Sequence, residues 1–150
     1  MLTVLVAAAP SLALLAYFYL RDRYEREPLG HVIAAYLLGA FAMLAAQAAE
    51  TMIADWVSAD WLHTGGEAAR VFDAFVLVGA VEEIAKWAMV FGAVYAWREF
   101  DEPFDGLFYG VTIALGFATL ENLLYLSSRG SDIAWQRALF AVPAHALFGG

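Results

Sequence analysis

The sequence predicts an all-α protein, a polytopic transmembrane helical bundle of about five spans that forms a single domain over residues 1–150. Two observations predict this fold. Hydrophobic residues make up 63% of the chain and charged residues 16%, against roughly 45–50% and about 25% in soluble domains. The apolar residues also fall into runs close to the ~20 residues that a helix needs to cross a bilayer, and short polar loops separate them.

The predicted spans cover about residues 2–20, 29–54, 71–97, 104–126 and 135–150. No Lys or Arg precedes the first span, whereas Arg21, Arg23 and Arg26 follow it. The positive-inside rule therefore places the N-terminus outside and the first loop in the cytoplasm, and the first span does not resemble a cleaved signal peptide. The fifth run is too short to cross a bilayer at helical rise, so we expect the chain to be the N-terminal portion of a longer protein.

The second span is rich in small residues. Gly39 is followed by alanines at positions 42, 45, 46, 48 and 49. Small residues let helix backbones approach closely, which predicts a tightly packed interior helix.

Charge and cysteine content exclude several classes of function. Eight Lys and Arg residues stand against 16 Asp and Glu residues, which gives a formal net charge of -8. A nucleic-acid-binding surface is basic, so nucleic acid is not a predicted partner. The sequence has no cysteine, which excludes disulfides, a thiolate nucleophile and cysteine metal ligands within it.

Charged and polar side chains interrupt three of the apolar runs. A charge at the bilayer centre costs from about 3 to more than 10 kcal/mol, so such residues are usually functional. Counted at helical rise, all of them fall in the outer half of the bilayer, which predicts a shared, water-accessible cavity opening outward. They are Glu82, Glu83 and Lys86 in the third span, Glu121 and Asn122 in the fourth, and His145 in the fifth.

The spacing of these residues suggests a division of roles. Glu82 or Glu83 would be the general base. Lys86 follows Glu82 by four residues, the favourable orientation for a helical ion pair, so spacing slightly favours Glu82 as the partner of Lys86 and Glu83 as the base. Glu121 and His145 would orient or protonate the reacting groups, and Asn122 is a neutral donor suited to an oxyanion hole. The set predicts activation of water for attack on an amide carbonyl within the membrane.

The same residue types also suit a divalent metal such as zinc. Glu83, Glu121 and His145 are the candidate ligands, since carboxylates and imidazole with one water form a common catalytic site. The residues alone leave the cofactor open between a metal and none.

Two other functions use the same features. A transporter would relay protons or bind a cation through the buried carboxylates, although the sequence shows no internal repeat of the kind common in transporters. A non-catalytic scaffold would bind partner helices through the Ala and Gly surfaces. His31, His63 and Glu50 are predicted to be non-catalytic.

Four motifs in order along the chain resemble the PrsW family. They are APSLALLAYFYLRDRYEREP at the start, VEEIAKW, GFATLENLLYL, and PAHALFGG preceded by Arg137. This family of polytopic bacterial membrane proteins is grouped with the CAAX prenyl endopeptidases and other glutamic-type intramembrane proteases. The CAAX endopeptidases carry a histidine where this chain has Glu121.

The resemblance implies a reaction and a place in the cell. Glu82 and Glu83 would activate water, and Glu121 and His145 would complete the site. The substrate would be a membrane-anchored protein in the bacterial cytoplasmic membrane, with site-1 cleavage of an anti-sigma factor as the example.

Overall fold

The computed structural model describes residues 2–21, 26–57, 64–129 and 133–149, and all regular structure within those ranges is helical. The predicted all-α fold is therefore confirmed. Arg23 and His63, which entered the sequence-based predictions, lie outside the described residues.

The first two helices begin and end close to the predicted positions. Helix α1 is Leu2–Arg21 and contains Pro10, and helix α2 is Leu29–Trp56. Pro28 lies immediately before α2, and its carbonyl accepts hydrogen bonds from the backbone of His31 at 2.8 Å and Val32 at 3.1 Å. Proline suits the position before a helix, because its fixed φ and missing N–H prevent the helix from extending back into the preceding loop.

The third predicted span is helical but not a regular α-helix. Helix α3 (Gly66–Phe72) continues into a π-helical segment, Asp73–Ala80, and then into helix α4 (Val81–Gly92). A short 3-10 turn, Val94–Ala96, follows. The chain thus becomes helical before residue 71 and leaves α-helical geometry before residue 97.

The last part of the chain contains one long helix and one segmented helix. Helix α5 is Pro103–Arg129. The final segment combines helix α6 (Ala134–Gln136), a π-helical stretch over Arg137–Ala141, and helix α7 (Val142–Phe148).

Three of the described helices are long and apolar enough to cross a membrane, over Val4–Arg21, Leu29–Trp56 and Pro103–Ser128. Large apolar side chains also remain exposed on the outside of the bundle, such as Leu37 at 62% and Phe41 at 59%. Contiguous apolar surface on this scale is typical of a protein that contacts lipid. The third and fifth predicted spans stay predictions, because charged residues and π-helical segments interrupt their helices.

Helix α5 lies at the centre of the bundle. Every residue from Phe108 to Ala118 is buried, and α1, α2, α4 and α7 all pack against this helix. The prediction that the second span is the interior helix is right for one face only, since Gly39, Ala42 and Ala46 are buried while Ala45 and Ala48 are exposed.

Two glycines set the distance between α2 and α5. A Cβ atom on Gly39 would lie 1.9 Å from the carbonyl oxygen of Ile113, and one on Gly116 would lie 2.0 Å from that of Tyr36. Any larger residue at either position would have to push the two backbones apart. A hydrogen bond between the hydroxyls of Tyr36 and Thr119, 2.5 Å long, joins the same two helices one turn further along α5.

Candidate active site

The structure brings together polar side chains from α4, α5 and the segmented last helix. These residues are distant in sequence, and His145 lies 59 residues after Lys86 and 24 after Glu121. The cluster consists of Glu82, Glu83 and Lys86 on α4, Glu121 and Asn122 on α5, Arg137 at the start of the second π-helical segment, and His145 on α7.

Lys86 lies at the centre of this cluster. Its side chain is only 3% exposed, and its Nζ atom donates a hydrogen bond to Glu83 Oε1 at 2.6 Å. The same atom lies 2.9 Å from His145 Nδ1 and 3.9 Å from Glu82 Oε2. The ring of Phe117 covers it, with the centroid 4.4 Å away. A buried ammonium needs partners of this kind, because an uncompensated charge in an apolar environment is costly.

Lys86 forms ion pairs with both glutamates of α4, as helical spacing allows. The predicted pair with Glu82 is present at 3.9 Å, but the closer partner is Glu83, which accepts the hydrogen bond at 2.6 Å. His145 Nδ1 lies 2.9 Å from the same Nζ, so the ammonium is held between Glu83 and His145.

A second chain of contacts fixes the imidazole. His145 Nε2 lies 3.0 Å from Glu121 Oε2. The same oxygen accepts a hydrogen bond from Arg137 Nη2 at 2.6 Å, and Arg137 Nε donates to Asn122 Oδ1 at 2.5 Å. Because an ammonium donates and cannot accept, Lys86 places the His145 lone pair on Nδ1 and the proton on Nε2, which then donates to Glu121.

Asn122 has a different position from the one expected. It is 2% exposed, and its amide nitrogen is directed to the carbonyl oxygen of Ala7 on α1, 3.4 Å away. Asn122 therefore positions Arg137 and holds α1 to α5. Its amide is not directed into the space beside Glu82 and Glu83, where an oxyanion donor would have to point.

Both segmented helices reach the site through π-helical turns. Asp73–Ala80 comes directly before the turn that carries Glu82 and Glu83, and Arg137–Ala141 comes directly before the turn that carries His145. π-helical turns in proteins are rare and occur frequently at functional sites. The wider turn changes the register of the helix, and so decides which side chains face α5.

Two cavities reach the cluster from different sides. The larger, about 760 Å³, runs along α4 from Glu83 and Lys86, and its walls are mainly aromatic residues and glycine. We call it the lateral cavity, and its wall residues are Glu83, Ile84, Lys86, Trp87, Val90, Phe91, Tyr95, Phe100, Gly106, Gly110, Phe148 and Gly149. The smaller, about 150 Å³, lies between α2, α4 and α5 and contacts Glu50, Glu82 and Glu121. The two adjacent glutamates thus line different cavities.

One group of side chains among the described residues has the composition and spacing of a metal site. Single ligand atoms of Glu82, Glu83 and His145 all lie within 4.8 Å of one another. The set expected from the sequence contained Glu121 in place of Glu82. In the structure Glu121 binds the opposite nitrogen of His145, the position of a carboxylate that orients a histidine ligand.

Arg137 belongs to the cluster but was not among the predicted site residues. The sequence carries a signal for it, because Arg137 lies eight residues before His145, about two helical turns, at the start of an apolar run. Lys86 is also the only lysine in the sequence, a feature that sets it apart and that the sequence-based predictions did not use. Glu50 reaches the smaller cavity, whereas His31 contacts Glu99 and Trp97 away from the cluster.

Comparison with known proteins identifies the family of the chain. Residues 27–150 match the model of a family described as PrsW family intramembrane metalloprotease. No solved structure matches the chain.

Curated relatives named Protease PrsW give the same result. The chain is 44% identical over 140 residues to the protein of Geobacillus kaustophilus, which covers 93% of this chain and 59% of that relative. It is 40% identical over 141 residues to the protein of Bacillus subtilis, covering 94% and 61%, and 34% identical over 148 residues to that of Clostridioides difficile, covering 96% and 60%. The chain thus spans about three fifths of the length of these relatives, and it belongs to the PrsW family of intramembrane metalloproteases.

Proposed function

We propose that this protein is an intramembrane endopeptidase that cleaves membrane-anchored proteins in the bacterial cytoplasmic membrane, with its N-terminus outside. One observation carries the proposal. Two glutamates and a buried lysine from α4 and an oriented histidine from α7 meet at the end of an apolar cavity large enough for a peptide segment.

Glu82 is the general base in this proposal. Its carboxylate lies 3.9 Å from Lys86 Nζ and lines the smaller cavity, whereas Glu83 is hydrogen-bonded to that ammonium. A carboxylate that is not neutralised by a close hydrogen bond is the better proton acceptor. Glu82 takes a proton from water, and the water oxygen adds to the scissile carbonyl carbon. The same proton then passes to the departing amide nitrogen as the C–N bond breaks.

Lys86 supplies the positive charge that this reaction needs. Negative charge develops on the carbonyl oxygen as water adds, and a fixed cation in a site shielded from water stabilises it more than bulk solvent would. Glu83 and His145 hold the ammonium in place, so it does not have to reorganise during the reaction. Glu121 and Arg137 in turn fix the orientation of His145.

The residues present also fit the metal implied by the family description. Glu82, Glu83 and His145 would hold it, since two carboxylates and one imidazole are common ligands of catalytic zinc. When bound, a divalent ion would supply Lewis acidity at the carbonyl.

The lateral cavity supports a membrane-embedded substrate. It begins at Glu83, whose side chain is 40% exposed, and continues past Trp87 and Phe91. An apolar segment of a membrane protein would lie against these rings with its scissile bond beside the glutamates. Site-1 cleavage of an anti-sigma factor is the substrate that the family resemblance suggests.

Cleavage of a membrane-anchored reporter by the full-length protein in detergent tests the proposal. We expect Glu82→Gln and His145→Ala to lower the cleavage rate by about 100-fold or more, the usual contribution of general acid–base groups. Glu67→Gln is the matched control, because Glu67 lies exposed in the first turn of α3. Unchanged cleavage by both site variants would contradict the assignment.

A second candidate function rests on the smaller cavity. Glu50, Glu82 and Glu121 approach it from three helices, and such a group suits relay of protons or binding of a cation during transport. Flux through proteoliposomes that is lost in Glu50→Gln, while peptide cleavage stays absent in every preparation, would favour the transporter.

A further inference from the structure

We infer that the ammonium group of Lys86 and a divalent metal ion are alternative occupants of one cation position, bounded by Glu82, Glu83 and His145. Lys86 is thus the built-in cation of the site, and a metal can bind there only when the lysine leaves. This inference concerns occupancy of the site and does not depend on whether the protein cleaves peptides.

The distances place both cations in the same space. The three side chains whose ligand atoms lie within 4.8 Å of one another are the three side chains that contact Lys86 Nζ. The ammonium lies 2.6, 2.9 and 3.9 Å from atoms of Glu83, His145 and Glu82. A metal held by the same three groups would overlap the ammonium, because zinc lies only ~2.0–2.2 Å from its oxygen and nitrogen ligands.

The charges around the cation position favour replacement of the ammonium by a divalent ion. Two carboxylates surround the position, and one ammonium leaves a formal charge of -1 there, whereas a divalent ion neutralises both carboxylates. Glu121 does not alter this balance, since Arg137 is paired with it at 2.6 Å. In a medium of low dielectric constant, full neutralisation of a buried cluster is worth more than it would be in water.

His145 is already arranged for either occupant. Its Nδ1 lone pair faces Nζ, and its Nε2 proton is held by Glu121. A histidine metal ligand needs the same arrangement, with its second nitrogen donating to a carboxylate. Exchange of ammonium for metal therefore requires no change of tautomer and no rotation of the ring.

The structure also provides a place for the displaced lysine. Lys86 lines the lateral cavity of about 760 Å³ as well as the cation position. Rotation of its flexible side chain would move the ammonium from the cluster to the mouth of that cavity, while its helix stays in place.

Zinc binding to the full-length protein, stripped with a chelator and kept in detergent, tests the inference. Lys86→Met removes the competing charge, so we expect it to bind one Zn²⁺ per chain at least about tenfold more tightly than the wild type. Zn²⁺ should also raise the Tm of this variant. Lys86→Arg keeps the charge and should show no gain, and adding His145→Ala to Lys86→Met should abolish it. Equal affinity in all variants, or a gain that survives without His145, would overturn the inference.

A second measurement needs only the wild-type protein. Lys86 is the only lysine in residues 1–150, and modification of its amine can be followed by mass spectrometry on the peptide that carries it. The amine is buried, so we expect slow modification without metal and at least about tenfold faster modification when Zn²⁺ is present. If Zn²⁺ binds through His145 and the rate does not change, lysine and metal coexist and the inference is wrong.

Discussion

At the scale of single residues, Arg137 connects the last segmented helix to three side chains of α5. Its guanidinium bonds Glu121 and Asn122 and lies over the ring of Tyr125, with its carbon 4.2 Å from the centroid. A guanidinium presents several donors in a rigid planar fork, so it holds two acceptors in a more fixed geometry than an ammonium on a flexible chain does. Arg137 thereby fixes Glu121, and through it His145.

Loss of Arg137 should affect both stability and activity. Removal of one partner of a buried ion pair costs about 3–5 kcal/mol, so Arg137→Ala should lower the Tm in detergent and reduce cleavage by at least about tenfold. Arg137→Lys should recover only part of each loss. Arg70→Ala is the control, because Arg70 is exposed on α3. Equal Tm values for Arg137→Ala and Arg70→Ala would show that the pairing carries no stability.

At the scale of elements, the crossing of α2 over α5 depends on two glycines. A Cβ atom at position 39 or 116 would lie 1.9 Å or 2.0 Å from a backbone carbonyl oxygen of the other helix. These obstacles are backbone atoms, so no side-chain rotation relieves the clash. The helices would have to separate, and the cavity between α2, α4 and α5 would change with them.

Alanine substitutions test this crossing. Gly39→Ala and Gly116→Ala should each destabilise the fold by about 3 kcal/mol or more, the upper part of the range for overpacking. Gly30→Ala is the matched control, since no atom lies within 4 Å of its added Cβ, and it should be neutral or stabilising by about 0.5–1 kcal/mol. The measurement is thermal unfolding in one detergent. Similar Tm values for all three variants would contradict the close approach.

The aromatic wall of α4 gives a second prediction at this scale. The rings of Trp87 and Phe91 contact each other at a tilt, with centroids 4.3 Å apart, and Phe91 stacks on Tyr95 at 5.7 Å. If an apolar substrate segment lies along this wall, Phe91→Ala should raise KM by about tenfold and leave kcat nearly unchanged, because it removes binding that ground and transition states share. Phe75→Ala, an exposed phenylalanine away from the lateral cavity, should change neither. A fall in kcat with constant KM would place Phe91 in another role.

At the scale of the whole molecule, the orientation in the membrane decides which compartment each end of the bundle faces. The proposed N-out topology puts residues 98–105 in the cytoplasm and the start of α3 outside. Residues 1–150 contain no cysteine, so a cysteine introduced there is the only thiol in this part of the protein. In intact cells, Glu67→Cys should react with a membrane-impermeant thiol reagent, and Asp101→Cys should react only after permeabilisation. The reverse pattern would overturn the topology.

The sequence by itself determined the fold class, the approximate position of α1, α2 and α5, and the polar residues that the structure brings together in one cluster. Long apolar runs can be satisfied in a membrane only by helices that bond their own backbone, and buried charges there are rare enough to mark Glu82, Glu83, Lys86, Glu121 and His145 individually. Both arguments need only local composition.

The tertiary structure decided which of these residues touch. Helical spacing allowed Lys86 to pair with either glutamate, and in the structure its ammonium lies between Glu83 and His145, 59 residues away. The role of Asn122 changed for the same reason, because its partners lie on α1 and beside Arg137. Contacts between helices depend on the register and distance that packing sets, here through π-helical turns and two glycines, and no periodicity within one helix encodes them.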